Sequence, residues 1–95
     1  MTTIAPGSTI GILGGGQLGR MLAVAAAQLG YRTHIFAPDA EGVAREVAHA
    51  STVAAYDDEM ALNGFARAVD VVTFEFENVP IDTVRHLAHH VPVRP

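Results

Sequence analysis

Three glycines, Gly14, Gly16 and Gly19, punctuate the segment GILGGGQLGRM at residues 11–21. Their G-x-G-x-x-G spacing, between a strand and a helix, gives each glycine a separate use. The first permits a tight turn, the second lets a ligand approach the backbone, and the third lets the helix pack closely on the strand. The helix that follows presents unpaired N–H groups and the positive end of its dipole, which suit an anionic or strongly polar guest. The alternative is a glycine-rich turn that only packs. A second stretch that could do chemistry is TFEFENVP at residues 73–80. Strand alternation sets Glu75 and Glu77 on the side opposite Phe74 and Phe76. The pair follows the apolar strand Val71–Phe74, so it lies at the carboxyl end of a parallel strand, where open α/β sheets bind ligands. If that strand neighbours the first, Glu75 or Glu77 faces the glycine loop. A carboxylate there accepts hydrogen bonds from ribose hydroxyls or an amine and repels phosphate. The alternative is a solvated strand end capped by Asn78.

The glycine spacing raises the possibility of a dinucleotide site, as in a domain of an NAD(P)-dependent oxidoreductase. That site needs an acid at the end of the second strand to bind the ribose hydroxyls. Here the strand ends Phe36-Ala37-Pro38-Asp39, with Ala37 where the acid is expected and Asp39 late. The dinucleotide reading is weakened accordingly. A non-catalytic nucleotide-binding module is a third reading. His86, His89 and His90 stand at i, i+3 and i+4, a spacing that can bind metal. No other ligand-type residue clusters with them in sequence, and histidines also suit a helix C-terminus, so no metal site is expected. His34 and His49 read as structural, and Tyr56-Asp57-Asp58 as a loop and helix cap.

Composition narrows the classes. With 95 residues the chain makes one domain, and 49% hydrophobic against 17% charged residues is a globular balance. A net charge of −4 offers no basic surface for nucleic acid. There is no cysteine, so disulfides and thiolate metal sites are excluded. The start MTTIAPGS has neither a basic region nor a long apolar run, so neither a secretory leader nor a membrane span is expected.

The elements that must position these residues alternate in period. Thr9–Leu13 reads as a buried strand. Gln17 to Leu29 reads as a helix with Leu18, Met21, Leu22, Ala25 and Leu29 on its inner face, stopped by Gly30. Tyr31–Ala37 is a second strand and Thr52–Ala55 a third, with a short helix at Glu41–Ala48 between them. Asp57 and Asp58 offer a cap for a helix whose inner face is Leu62, Phe65, Ala66 and Val69. After the fourth strand, Pro80 opens a helix to about His90 with Val84, Leu87, Ala88 and Val91 inward. VPVR begins a fifth strand. The pattern predicts an α/β domain with a parallel sheet of about five strands and helices on both faces. A chain closing on a nascent strand reads as the first domain of a longer protein.

GILGGGQLGRML together with TFEFENVP resembles the N-terminal domain of the 5-(carboxyamino)imidazole ribonucleotide synthases, in the ATP-grasp superfamily. The resemblance runs from about Thr9 to Pro95, and TFEFENVP is its more specific part. It implies a truncated Rossmann-like, three-layer pre-ATP-grasp domain over residues 1–95, with the central and C-terminal ATP-grasp domains outside this chain. It implies a ligase of purine biosynthesis that uses ATP, Mg²⁺ and bicarbonate to carboxylate the amine of 5-aminoimidazole ribonucleotide through carboxyphosphate. It also implies a cytoplasmic homodimer. The positions that match the family's ribonucleotide site are Gly16, Gln17, Leu18, Glu75 and Glu77. No catalytic residue is expected in this chain, and ATP and Mg²⁺ would be held mainly by the missing domains. Related glycinamide ribonucleotide transformylases normally carry Glu where Gln17 stands, which argues against that branch.

Overall fold

A computed structural model describes residues 5–39, 43–74 and 79–94. The strands are β1 (Thr9–Leu13), β2 (Arg32–Ala37), β3 (Ala50–Val53) and β4 (Val71–Phe74), and the helices are α1 (Gln17–Gln28), α2 (Glu59–Ala68) and α3 (Ile81–Ala88). A single 3₁₀ turn, Val43–Glu46, stands where a short helix is predicted at Glu41–Ala48; Glu41 and Gly42 lie outside the described residues.

The four strands form one sheet in the order β3-β2-β1-β4, and every pairing is parallel. The expected fifth strand is reduced to one bridge. Val93 pairs in parallel with Val72, through Val72 N–H to the Pro92 carbonyl (2.9 Å) and Arg94 N–H to the Val72 carbonyl (2.8 Å). Chain order reverses at β1, which has β2 on one side and β4 on the other. That is the topological switch point of an open α/β sheet.

Alternation along the strands feeds two cores. Ile12, Ile35 and Ala37 pack with Ala23 of α1 and Ala44 of the 3₁₀ turn on one face. Leu13, Phe36 and Val72 pack with Leu62 and Phe65 of α2 and Leu87 of α3 on the other. Gly11 is part of this second packing. A Cβ there would come within 2.6 Å of the Phe65 ring, so the glycine leaves room for the ring against β1. The inner face predicted for α2 is the buried one: Leu62, Phe65, Ala66 and Val69 are all buried. Asp58 caps that helix by accepting from Ala61 N–H at 3.1 Å. On the last helical segment Leu87 and Val91 are buried as predicted, whereas Ala88 is exposed and Thr83 turns inward. The Thr83 hydroxyl donates to the Tyr56 carbonyl at 2.7 Å, which satisfies it and ties α3 to the β3–α2 loop.

Helix α1 corrects the prediction. Its buried residues are Gly19, Ala23 and Ala26. Leu18, Met21 and Leu29, assigned to the inner face, are 51%, 64% and 69% exposed. Ala25 is also exposed, and only Leu22 of that set is partly buried. The cause is distance. At Gly19 a Cβ would stand 2.7 Å from the Gly14 carbonyl oxygen, so the helix axis lies too near the sheet for large side chains. Small residues fill the inner face, and the larger apolar ones are displaced outward.

This packing predicts different responses from the two faces of α1. Ala23→Leu should overpack the core and cost about 1–3 kcal/mol, while Met21→Gln should stay within about 0.5 kcal/mol of the parent. Urea denaturation midpoints of the two variants check this. A costly Met21 change with a neutral Ala23 change would restore the predicted inner face.

Candidate functional site

The mouth of the site lies at the carboxyl end of β1. Gly14 has φ +123°, a conformation that L side chains rarely adopt, and its N–H continues the ladder to the Phe36 carbonyl at 2.9 Å. The Gly15 carbonyl accepts from Ala44 N–H at 3.1 Å. Gly16 is the N-cap of α1 at φ −86°, ψ −164°, an extended conformation open to any residue. Its carbonyl accepts the first helical hydrogen bond, from Arg20 N–H at 3.0 Å. Among the described residues a Cβ on Gly16 would meet nothing within 4 Å. Those residues make no demand for glycine at this position and leave the space above it open. No side chain caps α1 and no acidic residue lies in its first turn, so the positive end of the dipole is uncompensated within the helix. Of the three glycines, Gly14 serves the turn and Gly19 the close packing, as their spacing predicts; Gly16 leaves room for a guest.

Gly16, Gln17 and Leu18 are all exposed at this mouth. The condition set for the two glutamates is also met, because β4 lies directly beside β1 with Leu13 opposite Phe74. Glu75 and Glu77, with Asn78, lie outside the described residues. At the end of β2, Ala37 is 2% exposed and belongs to the α1-side core. A methyl group packed into that core stands where a dinucleotide site needs its acid.

The surface carries two grooves among the described residues. One, of ≈ 370 Å³, runs along the outer face of α1 and is lined by Gln17, Arg20, Met21, Val24, Ala25 and Gln28. The other, of ≈ 240 Å³, lies between α2 and α3, with Asp57, Glu59, Asp82 and His86 among its lining. His86 is tied across it, its Nε2 2.7 Å from Asn63 Oδ1 and its Nδ1 3.6 Å from Glu59 Oε1. The His86 and His90 rings are 5.2 Å apart. Among the described residues no group of three or more His, Cys, Asp or Glu side chains converges as a metal site. No helix among them is long and apolar enough to cross a membrane.

His34, read as structural, bridges β2 and β3, with Nε2 2.7 Å from Thr52 Oγ1 and its ring edge-on to Phe65 at 5.2 Å. Burial lowers its pKa from the ordinary 6.5, because desolvation penalises the charged ring. Among the described residues, Ala44 is a contact to the glycine loop that the sequence did not indicate. Its segment carries only a weak helical pattern broken by Gly42, and nothing in an alanine signals a backbone donor.

The chain matches the model of the ribonucleotide synthetase preATP-grasp domain over residues 7–95. It belongs to that family. The N5-carboxyaminoimidazole ribonucleotide synthase of Brucella melitensis is 56% identical over 94 residues, covering 99% of this chain and 26% of the relative. N5-carboxyaminoimidazole synthetase from Staphylococcus aureus, crystallised with ADP, superposes with a TM-score of 0.91 at 40% identity, over 98% of this chain and 25% of that one. The Aspergillus clavatus synthase, in complex with ADP and 5-aminoimidazole ribonucleotide, superposes with a TM-score of 0.79 at 29% identity, over 95% and 24%. The preATP-grasp chain thus spans about a quarter of the length of these three.

The environment of His34 sets a pH dependence for this preATP-grasp fold. Its folded pKa lies below the unfolded value, so the unfolded chain binds the proton more readily. The stability this confers is complete above pH 6.5 and falls as the pH drops below it. His34→Gln should flatten that part of a stability-against-pH curve measured by denaturation between pH 7.5 and about 5. An unchanged slope would remove His34 as its source.

Proposed function

We propose that this chain is the acceptor-substrate domain of an N5-carboxyaminoimidazole ribonucleotide synthase, and that its glycine loop receives 5-aminoimidazole ribonucleotide. The observation that carries the reading is the open Gly16 N-cap at the β1/β4 switch point, in a chain that matches a ribonucleotide synthetase domain over residues 7–95. In the full protein, bicarbonate attacks the γ-phosphorus of ATP to give carboxyphosphate and ADP. The exocyclic amine of the ribonucleotide then takes the carboxyl carbon, losing a proton and releasing phosphate. The part played by this chain is to hold the nucleophile.

Gly16, Gln17 and Leu18 meet the ribonucleotide near its ribose or base, with the α1 N-terminus supplying N–H donors. Glu75 and Glu77, which follow β4 in the sequence, would supply acceptors for ribose hydroxyls or the amine. The phosphates of ATP and the Mg²⁺ that assists them require cations and a carboxylate set. The chain has no lysine, and no metal-ligand group converges among the described residues. By the family resemblance, ATP and Mg²⁺ would be held mainly by the ATP-grasp domains of the full protein. The same reading makes the full protein a cytoplasmic homodimer. The exposed stripe of Leu18, Met21, Val24 and Leu29 is the apolar surface α1 offers to a contact outside the domain.

The test is Gly16→Val in the full chain that carries this domain. The backbone at Gly16 accepts valine, and no described residue lies within 4 Å of a Cβ there, so folding should be kept while the guest is obstructed. KM for 5-aminoimidazole ribonucleotide should rise about tenfold or more, equivalent to roughly 1.4 kcal/mol, with KM for ATP unchanged. Glu75→Ala should move the same constant in the same direction. If neither variant changes it, the ribonucleotide binds elsewhere. Saturable binding of NADH to the parent protein would favour a dinucleotide loop instead.

A further inference from the structure

The 3₁₀ turn reaches the glycine loop through one residue. Ala44 N–H donates to the Gly15 carbonyl at 3.1 Å. The same residue is fully buried, and its Cβ would lie 3.4 Å from a Cβ built on Gly19. Ala44 thus fills the gap against α1 while its backbone holds the loop. The peptide between Gly15 and Gly16 is planar and trans, so its N–H points opposite to its carbonyl. A carbonyl held towards the 3₁₀ turn aims Gly16 N–H away from that turn. Among the described residues that N–H meets no backbone acceptor.

We infer that Ala44 is a positioning residue for the substrate loop: its N–H holds the Gly15–Gly16 peptide in the one orientation that presents Gly16 N–H to the acceptor substrate. The inference rests on the ribonucleotide-binding reading of the loop. Three successive glycines, Gly14 to Gly16, have wide backbone freedom. A loop of that kind loses donor orientation unless something outside it fixes a peptide plane. The ladder bond from Gly14 to Phe36 fixes the plane before Gly14, and the helical bond from Arg20 fixes the carbonyl of Gly16. The Gly15–Gly16 plane between them is set by Ala44. Fixing it beforehand removes an ordering cost that substrate binding would otherwise meet. Alanine suits the position because a larger side chain would push the turn off α1 and carry the donor away.

The test compares variants of the full chain. Ala44→Pro deletes the donor, since proline has no N–H, and Ala44→Gly keeps it while removing the methyl. KM for 5-aminoimidazole ribonucleotide should rise about tenfold in the proline variant, as expected for a misplaced binding group. It should stay within about twofold in the glycine variant, with KM for ATP unchanged in both. A merely structural role would lower stability in both variants and leave KM alone, and that outcome overturns the inference. So does a glycine variant that raises KM as much as proline does. Should the proline variant fail to fold, amide hydrogen exchange of the parent protein decides. In the substrate-free state Ala44 N–H should exchange at least about tenfold slower than an unprotected amide, and free exchange overturns the inference. If Gly16→Val leaves the ribonucleotide KM unchanged, the site reading itself fails. If Gly16→Val raises it and Ala44→Pro does not, only the role of Ala44 fails.

Discussion

The approach of α1 to the strand-end loop is the constraint on which the rest depends. A Cβ on Gly19 would stand 2.7 Å from the Gly14 carbonyl oxygen, so the first turn of the helix lies directly on the loop. That contact dictates the small inner face of Gly19, Ala23 and Ala26. It leaves the larger apolar side chains outside, and it places the first turn of the helix at the end of β1. A single added methyl at Gly19 would therefore disturb the inner core and the mouth together.

The sheet supplies the second half of the geometry. With β1 between β2 and β4, Leu13 is in register with Phe36 on one side and Phe74 on the other. β1 and β4 end in register at Leu13 and Phe74, and β2 runs one residue further, to Ala37. Both faces are buried, each by a different set of alternating side chains, and a one-residue slip would exchange the two cores. The register that places the mouth is thus enforced by hydrophobic packing remote from it.

Much of this was legible in the residues. Strands β1, β2 and β4 are short β-branched runs between turn signals, whereas β3, expected at Thr52–Ala55, lies two residues earlier at Ala50–Val53; α2 is a stripe at helical spacing that is buried as read. The G-x-G-x-x-G spacing yielded the turn at Gly14 and the close packing at Gly19. The face of α1 misled because periodicity locates a stripe without saying what covers it. The helix carries two stripes, and size favoured the wrong one. Only the distance between helix and sheet decides between them, and that distance is a tertiary property. Ala44 was hidden for a related reason, since its part is played by a backbone N–H that any residue but proline possesses.

The charge distribution bears on how a ribonucleotide would lie here. The chain is net negative at −4, and the segment after β4 carries Glu75 and Glu77. Carboxylates and a phosphate repel one another. On the proposed reading, a ribonucleotide would therefore turn its hydroxyls or amine towards the carboxylates, and its phosphate would have to be held by cations outside this domain. The α1 N-terminus attracts negative charge only within its first turn, so the domain would supply one part of a binding site and leave the anionic part of the guest to another surface.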